Sequence, residues 1–170
     1  RLIYARSAYL DTLCGVCDAL VMNDYAYMMP LPRKKKWGFS YIPDIPFLQQ
    51  LGIFSAQPVT QEITLAFLAA AGKHFSYGNI YLNSCNEVTG SNTEPLNNYI
   101  LNLHKPYPIT AGNYNTDLHY DLRQAAKNEL VYENVSSLTD AIAAYRSEYG
   151  QRLSHITNDI YLRFEQLCNY

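Results

Sequence analysis

The chain has 170 residues, 48% of them apolar, and a formal net charge of −2. That length suits one domain with a good core and is short for two, so residues 1–170 are expected to form a single domain. The near-neutral charge excludes global electrostatic attraction to nucleic acid or to an anionic membrane. The longest apolar stretch, Ile63 to Ala71 interrupted by Thr64, is far below the ~20 residues of a bilayer span. With no signal peptide visible, a cytoplasmic protein with reduced thiols is expected. The sequence begins at Arg1 rather than Met and stops just after an apparent helix, as a piece of a longer protein would. Its 16 Tyr and 6 Phe suit half-buried strands or a cleft wall, because tyrosine packs its ring and keeps its hydroxyl wet.

In chain order, Ser7 to Leu13 reads as a short helix with Ser7 as its N-cap. Asp18 to Met22 is an apolar strand. Asn23-Asp24 is turn chemistry, since both side chains tolerate left-handed backbone. Tyr25 to Leu31 returns as a second strand, ended by Pro30 and Pro32, which cannot donate to a ladder. Arg33 to Lys36 is a basic run, read as a solvated connection. Trp37 to Ile42 is a third strand. Pro43, Asp44 and Pro46 make an irregular crossing to Phe47–Phe54.

Thr60 caps a helix over Gln61 to His74, with Glu62 well placed in the first turn. Ile63, Phe67, Ala70, Ala71 and Phe75 fall on one face at helical spacing. Tyr77 to Asn83 alternates like a strand, Ser84 to Pro95 is a polar loop, and Tyr99 to Leu103 is another strand. His104 to Asn113 carries two prolines and a glycine and reads as a loop. A helix over Thr116 to Asn128 is expected to bury Leu118, Leu122 and Ala125. Leu130 to Val135 is a short strand. Thr139 caps a helix with the stripe Leu138, Ile142, Tyr145 and Tyr149. The last helix, Thr157 to Cys168, shows Ile160, Phe164 and Leu167. Mixed strands and helices with an early antiparallel hairpin predict an α/β or α+β fold with a mixed sheet.

Few residues carry chemistry at a recognisable spacing. Cys14-Gly15-Val16-Cys17 is a CxxC, but a redox CxxC is expected at a helix start, and this pair follows a helix. Zinc needs two further ligands, and neither Cys85 nor Cys168 has a partner nearby. His74, His104 and His155 are isolated. His119 and Asp121 lie two apart on a helix and point apart. No paired carboxylates, Ser/His/Asp order, phosphate loop or metal motif is present, and no residue is assigned a catalytic role. Asp44, between two prolines, is a cleft candidate or a turn residue bonding nearby backbone. Asn134-Val135-Ser136 is a glycosylation sequon. The best ligand-binding candidates are Arg33, Lys34, Lys35, Trp37, Gln49 and Gln50. There the cations can hold a phosphate or carboxylate, the indole can stack, and the amides can orient. The rival is a solubilising loop.

The segments ALVMNDY (19–25), MPLPRKKKWG (29–38) and QQLGIFS (49–55) resemble bacterial GNAT-like proteins related to the Fem-type (FemABX-like) aminoacyl and peptidyl transferases. Tyr99 to Leu103 and the helix Leu118 to Lys127 resemble the hand-over to the second of two tandem GNAT-like domains. The resemblance implies the N-terminal GNAT-like domain of a two-domain protein, with a largely antiparallel mixed sheet flanked by helices. It further implies an N-acyltransferase or aminoacyltransferase acting on an amine-bearing small molecule or cell-envelope precursor. Acyl-CoA or aminoacyl-tRNA is the implied donor, although no cofactor is required by the residues themselves. Departures are visible. The Q/R-x-x-G-x-G/A turn that holds a CoA pyrophosphate has no counterpart; Gln49-Gln50-Leu51-Gly52-Ile53 lacks its second glycine. The helix that is often strongly basic in relatives carries His119, Tyr120, Arg123, Gln124 and Lys127 here, which thins the charge that nucleic acid would need. A non-catalytic domain supporting a partner is the second reading. A nucleic-acid module using Arg33–Lys36 and the tyrosines is the third, opposed by the near-zero net charge.

Overall fold

A computed structural model describes residues 2–90, 92–133 and 137–168. The sequon at 134–136 lies outside them. The chain divides into two compact units, Arg1–Glu94 with Ser137–Tyr170, and Pro95–Ser136. The class is α+β: among the described residues there are six α-helices and two three-stranded sheets.

In the first unit a 3-10 turn, Ile3–Ala5, leads into helix α1, Ser7–Cys14. Ser7 is the first helical residue rather than the cap; Arg6 holds that position without a side-chain bond. Strands β1 (Cys17–Met22) and β2 (Tyr27–Pro32) pair antiparallel from Cys17↔Pro32 to Met22↔Tyr27. The expected hairpin is therefore present, but its loop is longer than a two-residue turn. Asn23, Asp24 and Tyr25 all have positive φ, and Ala26 N–H closes on the Asn23 carbonyl at 3.1 Å.

Pro32 is the last residue of β2, as expected, but Pro30 does not end the strand and lies inside it. The reason is ladder parity. Arg33 N–H donates to the Val16 carbonyl at 3.0 Å, so in this register the odd-numbered residues of β2 turn their amides toward β1. The prolines fall on the opposite edge, where β5 (Phe54–Ser55) pairs only with Tyr27 and Met28. No ladder donor is lost.

The basic run is likewise not a plain connection. Lys34–Lys36 is strand β3, paired antiparallel with β4, Phe39–Ile42, through the turn Trp37–Gly38. Both turn residues have positive φ, as a two-residue primed hairpin turn requires. That turn imposes the pairing which lysine propensity alone would not.

Helix α2, Gln61–His74, begins as expected: Thr60 Oγ1 accepts from Ile63 N–H at 3.4 Å, and Glu62 sits in the first turn. The helix crosses to β6, Tyr77–Gly78, which pairs parallel with β4. The strand expected over Tyr77–Asn83 is thus mostly irregular, with one parallel bridge, Leu51↔Leu82, further on. Tyr27, Met29, Leu31, Ile42, Ile53, Val59, Phe67 and Ala71 form the main core. Fully buried apolar side chains such as Met29, Leu31 and Phe67 contribute roughly 1.5–3 kcal/mol each. Of the face expected on α2, Phe67 and Ala71 are buried and Ile63, Ala70 and Phe75 half-buried, while Thr64 joins them. The Thr64 hydroxyl is satisfied by the Thr60 carbonyl at 3.1 Å. A second cluster packs Tyr9, Leu10, Leu13 and Cys14 of α1 against Leu48 and Leu51.

Helices α5 (Thr139–Tyr149) and α6 (Asn158–Cys168) complete the first unit. Leu138, not Thr139, is the N-cap of α5, and of its expected stripe only Ile142 is buried. On α6 the buried residue is Tyr161, beside the half-buried Ile160, Phe164 and Leu167.

The second unit holds a short helix α3, Tyr107–Ala111, where a loop was expected, and α4, Thr116–Lys127. Asn115 caps α4, accepting from Leu118 N–H at 2.9 Å. None of the residues Leu118, Leu122 and Ala125 is buried. Tyr99–Leu103 is not a strand, and Leu130–Glu133, the described part of the other expected strand, is not one either. A short apolar run forms a strand only where a neighbour supplies hydrogen bonds. No helix among the described residues is long and apolar enough to cross a membrane.

Candidate functional site

A cleft of about 350 Å³ lies in the first unit between the two hairpins and the end of α2. Asp18, Ala19 and Leu20 of β1 form one wall, Leu31 and Arg33 the floor strand, Lys35 and Ser40 the second hairpin, and His74 and Phe75 the end of α2. That volume falls in the ~300–1,000 Å³ range of small-molecule sites.

Strand alternation decides which lysine enters. Residues directly opposite in an antiparallel pair share a face. Lys35 pairs with Ser40, so both look into the cleft. Lys34 pairs with Tyr41 and Lys36 with Phe39, on the other face. There Tyr41 stacks on Tyr77 at 4.8 Å, and Lys36 Nζ lies 4.7 Å from the centre of the Trp37 ring. The indole is 87% exposed and does not line the cleft.

Arg33 Nε donates to Asp18 Oδ2 at 2.6 Å, and both residues line the cleft. Both side chains are partly exposed, so the pair orients the guanidinium more than it stabilises the fold. His74 is the last residue of α2 and brings its imidazole to the cleft lining. Ser76 N–H donates to the Ser40 carbonyl at 2.9 Å, which holds the end of α2 beside β4. The cleft therefore offers two permanent cations, a hydroxyl and an imidazole against one carboxylate already engaged by Arg33. Such a lining favours a ligand with a phosphate or carboxylate.

Of the six residues singled out from the sequence, Arg33 and Lys35 meet in this cleft. Lys34 and Trp37 sit on the opposite face of the hairpin. Gln49 lies elsewhere, its Oε1 accepting from the Tyr4 hydroxyl at 3.1 Å, and Gln50 is half-buried next to it in the chain. Asp18, Ser40 and His74 were missed. Their one sequence signal is the strand–helix–strand order around α2, which returns the end of that helix to β4.

Asp44 borders a separate small cavity of about 20 Å³ with Tyr81 and Asn79, enough for a single water. The Asp44 carboxylate raises the Tyr81 phenol above its ordinary value through its charge, helped by slight desolvation and a hydrogen bond between the two.

The segment Gln49–Ile53 is held from within. Leu51 N–H donates to the Tyr81 carbonyl at 2.7 Å, and Ile53 N–H to Asn86 Oδ1 at 2.8 Å. Asn83 Nδ2 bonds the Leu51 and Ile53 carbonyls at 2.8 and 3.1 Å, and Asn86 Nδ2 bonds Ile53 again at 3.0 Å. Gly52, at φ +77, has no room for a Cβ, which would meet the Asn86 side chain and Leu82. These amides serve the fold rather than an anion. Among the described residues no group of three or more His, Cys, Asp or Glu is placed to hold a metal ion.

No family model matches the chain, and comparisons with curated proteins and with solved structures return no significant match.

Proposed function

We propose that the chain is a GNAT-like domain of the Fem type that holds the amine-bearing acceptor of an acyl or aminoacyl transfer by an anionic group. The observation that carries this reading is the pairing of Arg33 and Lys35, with Ser40 and His74, around one cleft of about 350 Å³. The acceptor class is an amine-bearing small molecule with a phosphate or carboxylate, such as an amino-sugar phosphate or a cell-envelope precursor. In the transfer, the acceptor amine attacks the acyl carbon of the donor and a C–N bond forms. The C–S bond of an acyl-CoA, or the ester C–O bond of an aminoacyl-tRNA, breaks. The amine proton leaves with the thiol or hydroxyl. Donor binding falls to a second GNAT-like domain, because the amides of Leu51 and Ile53 are committed to Tyr81 and Asn86.

That same commitment favours a second reading, in which the domain binds the acceptor or supports a partner domain without catalysing transfer. Calorimetric titration of the chain with glucosamine 6-phosphate, inorganic phosphate and glucosamine tests the cleft. The two phosphates are expected to bind at low salt, glucosamine alone is not, and Lys35→Glu is expected to abolish binding. Absence of binding by both phosphates at low salt overturns the assignment. Thiol release from acetyl-CoA in the presence of the bound aminosugar favours the transferase reading; binding without release is the outcome both readings share for this chain alone, because donor binding is assigned to a second domain.

A further inference from the structure

The turn joining α1 to β1 carries chemistry that the cleft does not use. α1 ends at Cys14, Gly15 follows at φ 72 and ψ −65, and Val16 N–H donates to the Cys14 carbonyl at 2.9 Å. These values describe a γ-turn of positive φ, a rare and tight three-residue reversal. Glycine takes it with no Cβ to clash. The reversal folds the start of β1 back on the end of α1, leaving Cys14 and Cys17 on either side of a two-residue turn, and Cys17 Sγ lies 3.5 Å from the Asp18 carbonyl. Both are free thiols.

The two sulfurs are not equivalent. Cys14 is buried and Cys17 half-buried. Interaction with the neighbouring thiol pulls the Cys17 thiol below its ordinary value, against its own burial, and the same interaction followed by burial pushes the Cys14 thiol up. The carbonyl end of α1 acts on Cys14 in the same sense, since it disfavours an anion. A CxxC at a helix start has the opposite polarity, because there the helix lowers the first thiol.

We propose that Cys14 and Cys17 are a reversible redox dithiol for disulfide substrates, with Cys17 as the attacking sulfur and Cys14 as the resolving one. The Cys17 thiolate attacks one sulfur of a small disulfide, the S–S bond breaks, and the released thiolate takes a proton. Cys14 then loses its proton, attacks Cys17 Sγ in the mixed disulfide, and expels the second thiolate, which is protonated in turn. Two protein thiols lose two electrons to one substrate disulfide, which leaves as two thiols, with no other reactant.

The test uses the chain with Cys85→Ser and Cys168→Ser, so that only this pair reacts, in glutathione buffers of graded redox ratio. Intact mass and peptide mapping are expected to show a Cys14–Cys17 bond that forms and reopens with the buffer. Cys14→Ser is expected to accumulate one glutathione on Cys17. Cys17→Ser is expected to react at Cys14 at least about tenfold more slowly, as the thiolate fraction and access both fall. Peptide mapping of the unaltered chain gives the same readout without substitutions. Failure of the 14–17 bond to form in fully oxidised glutathione, or equal rates for the two single variants, overturns the proposal.

Discussion

Gly52→Ala separates a glycine kept for packing from one kept for a ligand. Gly52 has φ +77, and a methyl there overlaps Asn86 Oδ1 and presses on Leu82 Cδ2 at 3.0 Å and Leu82 Cα at 3.2 Å. The left-handed backbone costs an L-residue about 1–2 kcal/mol. Displacing the Asn86 amide also breaks its two bonds to Ile53, at 2.8 and 3.0 Å, each of about 1 kcal/mol. The expected loss is therefore about 3–4 kcal/mol, read from urea unfolding of the chain by circular dichroism as a lower midpoint at unchanged slope. In an Asn86→Ala background the obstructing oxygen is gone and both bonds are already lost. Gly52→Ala should then cost only the backbone component, about 1–2 kcal/mol. The coupling between the two sites is about 2 kcal/mol, well above the ~0.5 kcal/mol within which independent sites add. Additive penalties would show that Gly52 is not held by Asn86 and would reopen 49–53 as a ligand loop.

Lys35→Ala should weaken phosphate binding by about tenfold, the loss of one charge-assisted contact, whereas Lys34→Ala should leave it unchanged; calorimetry on the two variants compares them. Phe67→Ala, at a side chain 2% exposed in the main core, should destabilise the chain by about 3–5 kcal/mol in the same urea assay. Asp44→Asn should lower the Tyr81 pKa toward its ordinary value of about 10, because the Asp44 charge is the main cause of its rise; ultraviolet difference titration reads this. The sign for stability follows. The folded state favours the neutral phenol, so the stabilisation is present below pH ~10 and is lost as pH rises through the raised value. Loss of stability above neutral pH but well below that range would assign the alkaline transition to another group.

Where structure was legible in the sequence, the signal was local and redundant. The β1–β2 hairpin is written in two apolar runs around Asn23-Asp24. α2 is written in Thr60, Glu62 and an apolar face, and each forms within a residue or two of its expected bounds. Periodicity failed where it had to stand alone. Leu118 and Leu122 share a face of α4, yet are 39% and 43% exposed; spacing says which residues lie together, not whether another element covers them. Tyr99–Leu103 is apolar enough to read as a strand, yet forms no ladder among the described residues. α3 was hidden because Pro106 and Pro108 read as loop residues, although proline is well suited to a helix start.

The basic run shows why the candidate site was only half visible. Four consecutive cations from Arg33 to Lys36 look like one patch in one dimension. Once Trp37–Gly38 folds them into a hairpin, period-two alternation divides them between two faces. Lys35 goes inward with Ser40, and Lys34 and Lys36 go outward with Tyr41 and Phe39. What completes the inward side comes from far along the chain: Asp18 across the first ladder, and His74 at the end of a 14-residue helix. A ligand that reads the cleft should therefore respond to charge reversal at Lys35 and not at Lys34. A ligand drawn to the run as a simple electrostatic patch would respond to both alike, and its affinity would fall steeply with added salt. Equal effects at the two lysines would return the run to its role as a solubilising surface.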